Sequence, residues 1–429
     1  MSCSIRLAVC LVAFMCTAGI GAQSPEAQTD ENASETASAS AAPVAHVYVA
    51  NSSHVYAFSA AADGKLTPVP GSPFNQSLSW MGANGRYLFG FEGSGTTIAS
   101  FSMAPNGALR KVAAIDTADF DAGGCGPYQT GFRIDHSGQN LFSVAITTEF
   151  PCWTPFSAFR INDADGKLTF LDNTGTDRTG TFWATYPGLS TDEATNLSIL
   201  GNNQYAYLPV NFFFSEPPSP FADDSEGGWV CEFVAFQRLN GGELVDSDAT
   251  ISIPAPPNDG SDPTQPSPGS YCPVSGAADP TNHIALLLDA IDGDLGNTYG
   301  PAVIAPFTAD KNGNLTTTST QKNMPVSETG GGGFMRMSPS GKLLAVGGGG
   351  LELFHFNGGD PVTKYKLLLP NDSINLIFWD NDNHMYAIGT DSGGAGKLWV
   401  YIVTPTSVKE APGSPYSIPN AANMVVQPL

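Results

Sequence analysis

The chain has 429 residues and carries 40 acidic against 18 basic side chains, a formal net charge of −22 at pH 7. Such an acidic molecule repels phosphate backbones, so nucleic acid is excluded as an expected partner. A hydrophobic fraction of 41% supports a folded core, and 47 Gly with 33 Pro favour short strands and turns over helices.

Residues 1–22 have the pattern of a secretory signal peptide. A positive start and the short apolar run Leu7–Met15 precede small residues and a cleavage position after Ala22. A lipoprotein alternative would modify Cys10 or Cys16, but the first comes too early and the second lacks small residues before it. We therefore expect an exported product, periplasmic or extracellular, without a membrane span.

The mature chain divides into a linker and one repetitive domain. Residues 23–44 are rich in Ala, Ser, Thr and Glu and contain no aromatic residue, which predicts a disordered linker. Residues 45–429 repeat two hairpin patterns that have alternating apolar residues and Asp-Gly or Asn-Gly turns. The first pattern occurs six times, most tightly at Met337–Leu344, and the second occurs seven times, starting at Val55–Leu66.

Two hairpins per unit make a four-stranded blade, whose strands are named A to D from the channel outward. The predicted fold class is therefore an all-β, seven-bladed β-propeller of antiparallel blades, with about 55 residues per blade. Six first hairpins precede seven second hairpins, so the first blade lacks its inner strand. The C-terminal Asn423–Leu429 is predicted to supply that strand and to close the ring.

Three short motifs carry a family resemblance. The His46–Asn51 strand, the Ser-Pro-Ser-Gly turn Ser338–Gly341 and the Asp-Gly-Lys-Leu turns resemble the bacterial YVTN-type and lactonase-type seven-bladed propellers. That family includes 6-phosphogluconolactonase-like enzymes and many members without a known activity. The resemblance implies the propeller fold and makes lactone hydrolysis one candidate activity.

Four cysteines remain after the signal peptide is removed. An even number in an exported protein favours disulfides, and four cysteines allow three pairings. We favour Cys125–Cys152 and Cys231–Cys272, which are nearest in sequence. A zinc site is less favoured because the chain has no C-x-x-C or H-x-x-x-H spacing.

The long insertions all fall on B–C or D–A connections, which share one face of a propeller. This loop-rich face comprises residues 116–131, 146–155, 173–195, 210–231, 254–275 and 289–301. Its aromatic and charged residues predict a ligand- or protein-binding surface, although rings that only cover the loops are the alternative. The candidate ligand-binding residues are Trp153, Arg178, Trp183, Tyr186 and Trp229.

Arg133 and Arg336 stand in two predicted inner strands, which line the central channel. A guanidinium there can clamp a carboxylate or phosphate, and a structural ion pair with a neighbouring blade is the alternative. In an enzyme, both arginines would hold an anionic lactone while Glu149 or Glu328 activates water. His54 is the histidine expected on the loop-rich face.

Asp289, Asp292 and Asp294 place three carboxylates in a Gly-containing segment of the loop-rich face. Oxygen ligands at this density suit Ca²⁺, although the spacing is not that of an EF-hand. Ca²⁺ is therefore the candidate metal, and no cofactor is required.

The leading functional prediction is a lactonase-like propeller that acts as a ligand- or protein-binding module through its loop-rich face. The alternative is a lactone hydrolase with a site at the channel mouth. The ligand, whether a small molecule or a protein, is not identified by the sequence. We expect the protein to be a monomer.

Overall fold

The computed structural model describes residues 42–93, 95–117, 128–146, 156–174, 197–213, 229–254, 256, 270–291, 300–330 and 334–429. The predicted signal peptide and nearly all of the predicted linker lie outside these ranges. The described residues form strands and turns without an α-helix, and none of them belongs to a helix able to cross a membrane.

The alternating sequence folds into 29 strands in the described part of the chain. They are β1 Ala45–Ala50, β2 Val55–Ala60, β3 Leu66–Pro68, β4 Leu78–Ala83, β5 Tyr87–Glu92, β6 Thr97–Met103, β7 Leu109–Asp116, β8 Tyr128–Ile134, β9 Asn140–Ile146, β10 Phe156–Ile161, β11 Leu168–Thr174, β12 Ser198–Ile199, β13 Tyr205–Phe213, β14 Trp229–Arg238, β15 Leu244–Asp246, β16 Ser270–Ala278, β17 His283–Ile291, β18 Val303–Ala309, β19 Leu315–Thr316, β20 Met335–Met337, β21 Leu343–Gly347, β22 Leu351–Asn357, β23 Asp360–Leu369, β24 Ser373–Trp379, β25 His384–Thr390, β26 Gly396–Val403, β27 Val408–Glu410, β28 Tyr416–Ser417 and β29 Asn423–Pro428.

The strands form seven antiparallel sheets, which confirms the predicted propeller. Blade 1 has the order β29-β1-β2-β3 from the channel outward, and blade 2 has the order β4-β5-β6-β7. Blades 3 to 6 continue in the same way with β8–β11, β12–β15, β16–β19 and β20–β23. Blade 7 has the order β24-β25-β26-β27, and the short strand β28 also pairs with β26.

The C-terminal strand closes the ring as the hairpin count predicts. β29 pairs antiparallel with β1, in a register that sets Gln427 opposite His46 and Asn423 opposite Ala50. The last residue, Leu429, donates its backbone N–H to the carbonyl of Val44. Blade 1 is therefore built from both ends of the domain, and its sheet has no open inner edge.

Neighbouring blades are joined on the face that carries the A–B and C–D turns, called the turn face. Rings at the start of B strands pack against the C–D turn of the next blade, where a glycine leaves room for them. A Cβ on Gly166, whose φ is +72°, would lie 2.6 Å from the Tyr87 ring. On Gly313, at φ +82°, a Cβ would lie 2.5 Å from the Tyr205 ring. These interblade contacts therefore require glycine for both conformation and space.

Blades 7 and 1 meet through a buried polar group. His384 Nδ1 lies 2.7 Å from Asp380 Oδ2, and the Tyr386 hydroxyl donates to the same oxygen at 2.8 Å. The other ring nitrogen of His384, Nε2, lies 3.2 Å from the carbonyl oxygen of Ala62 in the C–D turn of blade 1. Because Asp380 and His384 are almost fully buried, each must find its partner within this group.

Two interblade histidines have pKa values displaced in opposite directions. Burial lowers the pKa of His384, but the hydrogen bond to Asp380 and its charge outweigh burial, so the net pKa is raised above 6.5. Burial lowers the pKa of His46, and backbone hydrogen bonds offset it only in part. A histidine whose pKa is raised in the folded state stabilises the fold at pH values below its unfolded-state pKa. A histidine whose pKa is lowered in the folded state destabilises the fold at those pH values.

The variants His384→Gln and His46→Gln should therefore show opposite pH dependence. The free energy of unfolding lost by His384→Gln should shrink as the pH rises above about 6.5, because the wild type loses its imidazolium. The loss caused by His46→Gln should grow as the pH rises toward about 6.5, because the wild type regains a neutral ring. Urea unfolding of the wild type and the two variants at several pH values measures how each loss of stability changes with pH. If both losses changed in the same direction, the two pKa displacements assigned to these histidines would be wrong.

Candidate functional site

The inner strands line the channel. Their A–B turns provide a common reference from which the positions of residues along the channel can be compared. The penultimate residue of each inner strand from blade 2 to blade 7 stands two residues before its A–B turn. These residues therefore lie at one level near the turn face. In blade 1 the same position is set by the hydrogen bond of the terminal residue with Val44. This channel ring consists of Gln427, Gly82, Arg133, Ser198, Ala277, Arg336 and Phe378, from blade 1 to blade 7.

Arg133 is held by the neighbouring blade. Its Nε donates a hydrogen bond to the carbonyl of Leu197, just before β12, at 3.2 Å. Burial lowers the pKa of Arg133 well below its ordinary value, and the charge of Arg336 lowers it further. The two guanidinium groups are thus close enough to repel each other in a medium that screens them weakly.

Arg336 lies on the far side of the channel, since blades 3 and 6 are three places apart in a ring of seven. Its guanidinium stands 5.4 Å from the centre of the Phe378 ring, and one nitrogen donates to the carbonyl of Met335 at 3.3 Å. Burial lowers the pKa of Arg336 to about 10, so the group stays charged at neutral pH. No carboxylate of the described residues forms an ion pair with Arg336.

The two arginines share a position within their strands. β8 starts at Tyr128 and Arg133 is its penultimate residue, as Arg336 is in β20. Both arginines therefore lie toward the turn face, away from the loop-rich face. The alternative of a structural ion pair is not observed for Arg336 among the described carboxylates.

The structure does not bring Glu328 to the arginines. Lys364 of the outer strand β23 lies 2.7 Å from a carboxylate oxygen of Glu328 and 3.6 Å from one of Glu352. The backbone N–H of Glu328 also donates to Glu352 at 2.9 Å. These contacts hold Glu328 beside the outer part of blade 6, so it is not positioned to activate water at the channel ring.

His54 lies in the β1–β2 connection, which belongs to the loop-rich face. Its Nδ1 is 2.8 Å from the Ser53 hydroxyl, and its backbone N–H donates to the side-chain oxygen of Asn51. The residue follows a middle strand, β1, and is not part of the channel ring. The structure therefore places His54 on the predicted face without joining it to the arginines.

Asp289 is the member of the predicted calcium loop that the structure describes. It lies on β17 opposite Cys272 and is 8% exposed, and burial raises its pKa to about 6. Among the described residues, no group of three or more His, Cys, Asp or Glu could hold a metal ion. Asp292 and Asp294 lie outside the described residues, so the Ca²⁺ site stays a prediction.

Most of the candidates on the loop-rich face also stay predictions. β14 includes Trp229 and Cys231, but the side chains of both lie outside the described part. Cys272 is buried on β16, and the proposed disulfide pairings are not tested by the described residues. The remaining candidates outside the described ranges are Glu149, Trp153, Arg178, Trp183, Tyr186, Cys125 and Cys152.

Sequence reasoning did not single out Phe378 or the small residues of the channel ring. Phe378 is half-buried beside Arg336, while Gly82 and Ala277 carry little or no side chain at the same height. The signal that identifies them is positional, because each stands two residues before an A–B turn. Once the turns are aligned, the two arginines and an aromatic residue share one level with two residues that have little or no side chain.

Comparisons with known proteins support the fold. No known family model matches the chain, and no curated protein matches its sequence. The chain is similar to a solved structure from Lactobacillus plantarum, with TM-score 0.54, 12% identity, and coverage of 89% of this chain and 99% of that chain. Two candidate 6-phosphogluconolactonases are also similar. The Bacteroides fragilis protein has a TM-score of 0.51 and 13% sequence identity, and the match covers 91% of this chain and 99% of that chain. The Bacteroides uniformis protein has a TM-score of 0.50 and 13% sequence identity, and the match covers 89% of this chain and 99% of that chain. At these identities the likeness shows a shared propeller fold.

The repulsion between the two half-buried guanidinium groups should be measurable as a stability cost. Arg336→Gln should raise the free energy of unfolding by about 1 kcal/mol in a buffer without phosphate or sulfate, because it removes one of two like charges. Arg110→Gln, at an exposed site on β7, removes the same charge from the surface and should leave stability nearly unchanged. Urea unfolding compares the three proteins, and a large loss in Arg336→Gln would show that this arginine is structural.

Proposed function

We propose that this propeller binds a small anionic ligand in its central channel, between Arg133 and Arg336. The observation that carries the proposal is the pair of half-buried guanidinium groups at one height in the ring, with the charge of Arg336 lowering the pKa of Arg133. Like charges buried together destabilise a fold, and a phosphate or carboxylate between them offsets that cost with charge-assisted hydrogen bonds.

The shape of the channel ring supports a small ligand. Gly82 and Ala277 carry little or no side chain at this level, and the Phe378 ring lies beside Arg336. A bidentate guanidinium on each side would hold a phosphate or carboxylate group in a defined orientation. The acidic balance of the chain, with net charge −22, disfavours a polyanion and fits a ligand that enters the channel as a single small molecule.

Lactone hydrolysis is the second candidate, because two fold neighbours are candidate 6-phosphogluconolactonases and a lactone with an anionic group would suit the arginines. The same guanidinium groups could stabilise the oxyanion that forms when water attacks the lactone carbonyl. The base would then come from outside the described residues, with Glu149 the predicted candidate. Binding through the loop-rich face and export to the periplasm or medium are kept as parts of the proposal.

Calorimetric titration with inorganic phosphate tests the proposed site. The wild type should bind phosphate, and Arg336→Gln should weaken binding about tenfold or more, since a hydrogen bond to a charged group contributes about 1.5–3 kcal/mol. Arg110→Gln is the matched control and should bind as the wild type does. The proposal fails if the wild type does not bind phosphate or if Arg336→Gln binds it equally well.

Proton release from a panel of sugar lactones then separates the two candidate functions. Turnover that Arg336→Gln reduces and Arg110→Gln retains would establish the hydrolase. Phosphate binding without turnover would leave a binding protein.

A further inference from the structure

Phe378 and Trp379 are consecutive residues of the inner strand β24, and both contact Arg336 of the preceding blade. The guanidinium carbon of Arg336 lies 5.4 Å from the centre of the Phe378 ring, within the range of a cation–π interaction. The indole N–H of Trp379 donates to the backbone carbonyl of Arg336 at 3.3 Å. Blade 7 therefore holds this arginine both at its side chain and at its backbone.

The two aromatic residues lie on opposite faces of blade 7. Trp379 belongs to the hydrophobic cluster between blades 6 and 7, whereas Phe378 packs against the clusters on both sides of blade 1. Successive side chains of a strand alternate in this way. Since β25 pairs along the outer side of β24, the Arg336 guanidinium reaches the Phe378 ring around the channel side or the turn end of β24.

The contact with the ring leaves most donors of Arg336 available to a ligand. Within the described part of the chain, the guanidinium donates one hydrogen bond, from one nitrogen to the carbonyl of Met335. The Phe378 ring contains no oxygen or nitrogen acceptor, so it attracts the cation through its π-face alone. The side chain is half-buried, and its remaining N–H groups can bind an oxyanion.

Arg133 is positioned in a different way, by a hydrogen bond from its Nε to the carbonyl of Leu197 in blade 4. Its pKa is lowered by the charge of Arg336, which shows that the two cations repel each other. Without the ring, this repulsion would favour rotamers of Arg336 that turn away from Arg133. Ordering such a flexible side chain again costs free energy when a ligand binds.

We infer that Phe378 is a positioning residue of the anion site, whose ring holds the Arg336 guanidinium in place before the ligand binds. The inference rests on the proposed anion site and adds how that site is preorganised. A guanidinium that is already ordered spares the ligand the cost of ordering it. The π-face is the decisive property, since an aliphatic side chain fills space without attracting a cation.

Calorimetric titration of variants at position 378 with inorganic phosphate tests this role. Phe378→Leu should weaken phosphate binding about threefold or more, because the cation–π contact is lost. Phe378→Tyr keeps an aromatic face and should bind phosphate nearly as the wild type does. Phe170→Leu, which removes a half-buried ring on the outer strand β11, is the control and should leave the phosphate affinity unchanged.

Two further readouts separate positioning from a structural role. Phenylalanines that carry one, two or three fluorine atoms at position 378 keep the ring nearly the same size but withdraw electrons from its face. The phosphate affinity should fall stepwise along this series. In an Arg336→Gln background, Phe378→Leu should cause no further loss of affinity, because the group that the ring positions is absent.

The outcomes distinguish this inference from the proposed function. Phosphate binding that neither Phe378→Leu nor the fluorinated rings weaken would overturn the positioning role while leaving the anion site in place. An equal loss from Phe378→Leu in the wild-type and Arg336→Gln backgrounds would show that the ring supports only the fold, and would also overturn it. Failure of the wild type to bind phosphate would overturn both. If Phe378→Leu does not fold, the fluorinated series decides, because it preserves the packing of the ring.

Discussion

The pairing of β29 with β1 is the constraint on which the rest of the structure depends. It joins Asn423–Pro428 to Ala45–Ala50, and the Asn51 side chain reinforces it by donating to the carbonyl of Pro419. Without this pairing, blade 1 would have an open inner edge, and the contacts of β29 with β4 of blade 2 and β24 of blade 7 would be lost. Ring closure fixes the seven inner strands at set positions around the channel, which brings Arg133 of blade 3 and Arg336 of blade 6 to one level.

Polar groups buried between blades 7 and 1 have hydrogen-bond partners, whereas the channel contains charged groups that repel each other. On the turn face, buried groups such as Asp380 find hydrogen-bond partners, and glycine turns receive the rings of adjoining blades. In the channel, two half-buried guanidinium groups lie near enough that the charge of one lowers the pKa of the other. Natural proteins retain such costs mainly where they serve a site, and the stable interblade contacts supply the rigidity that holds them.

Much of the fold could be predicted from the sequence because each blade repeats its own local signals. Asp-Gly and Asn-Gly turns, together with alternating apolar residues, specify hairpins over short distances, and the odd count of hairpins required the C-terminal strand. The Ser338–Gly341 turn and the Asp63–Leu66 turn illustrate signals that act within a few residues. No long-range information was needed to place them.

The site was predictable only in part, because its geometry depends on register. Arg133 and Arg336 were identified from their inner strands, but their height followed from the true start of β8 and from the alignment of the A–B turns. Glu328 was predicted to activate water, but only the fold shows that it forms an ion pair with Lys364.

The most direct test of this account is a double-mutant cycle for phosphate binding with Arg133→Gln, Arg336→Gln and the combined variant. If ring closure brings both arginines to one ligand, the two losses will not add, and their interaction energy will be about 1 kcal/mol or more. Losses in binding free energy that sum within about 0.5 kcal/mol would mean that the arginines act independently, and would contradict a shared site in the channel.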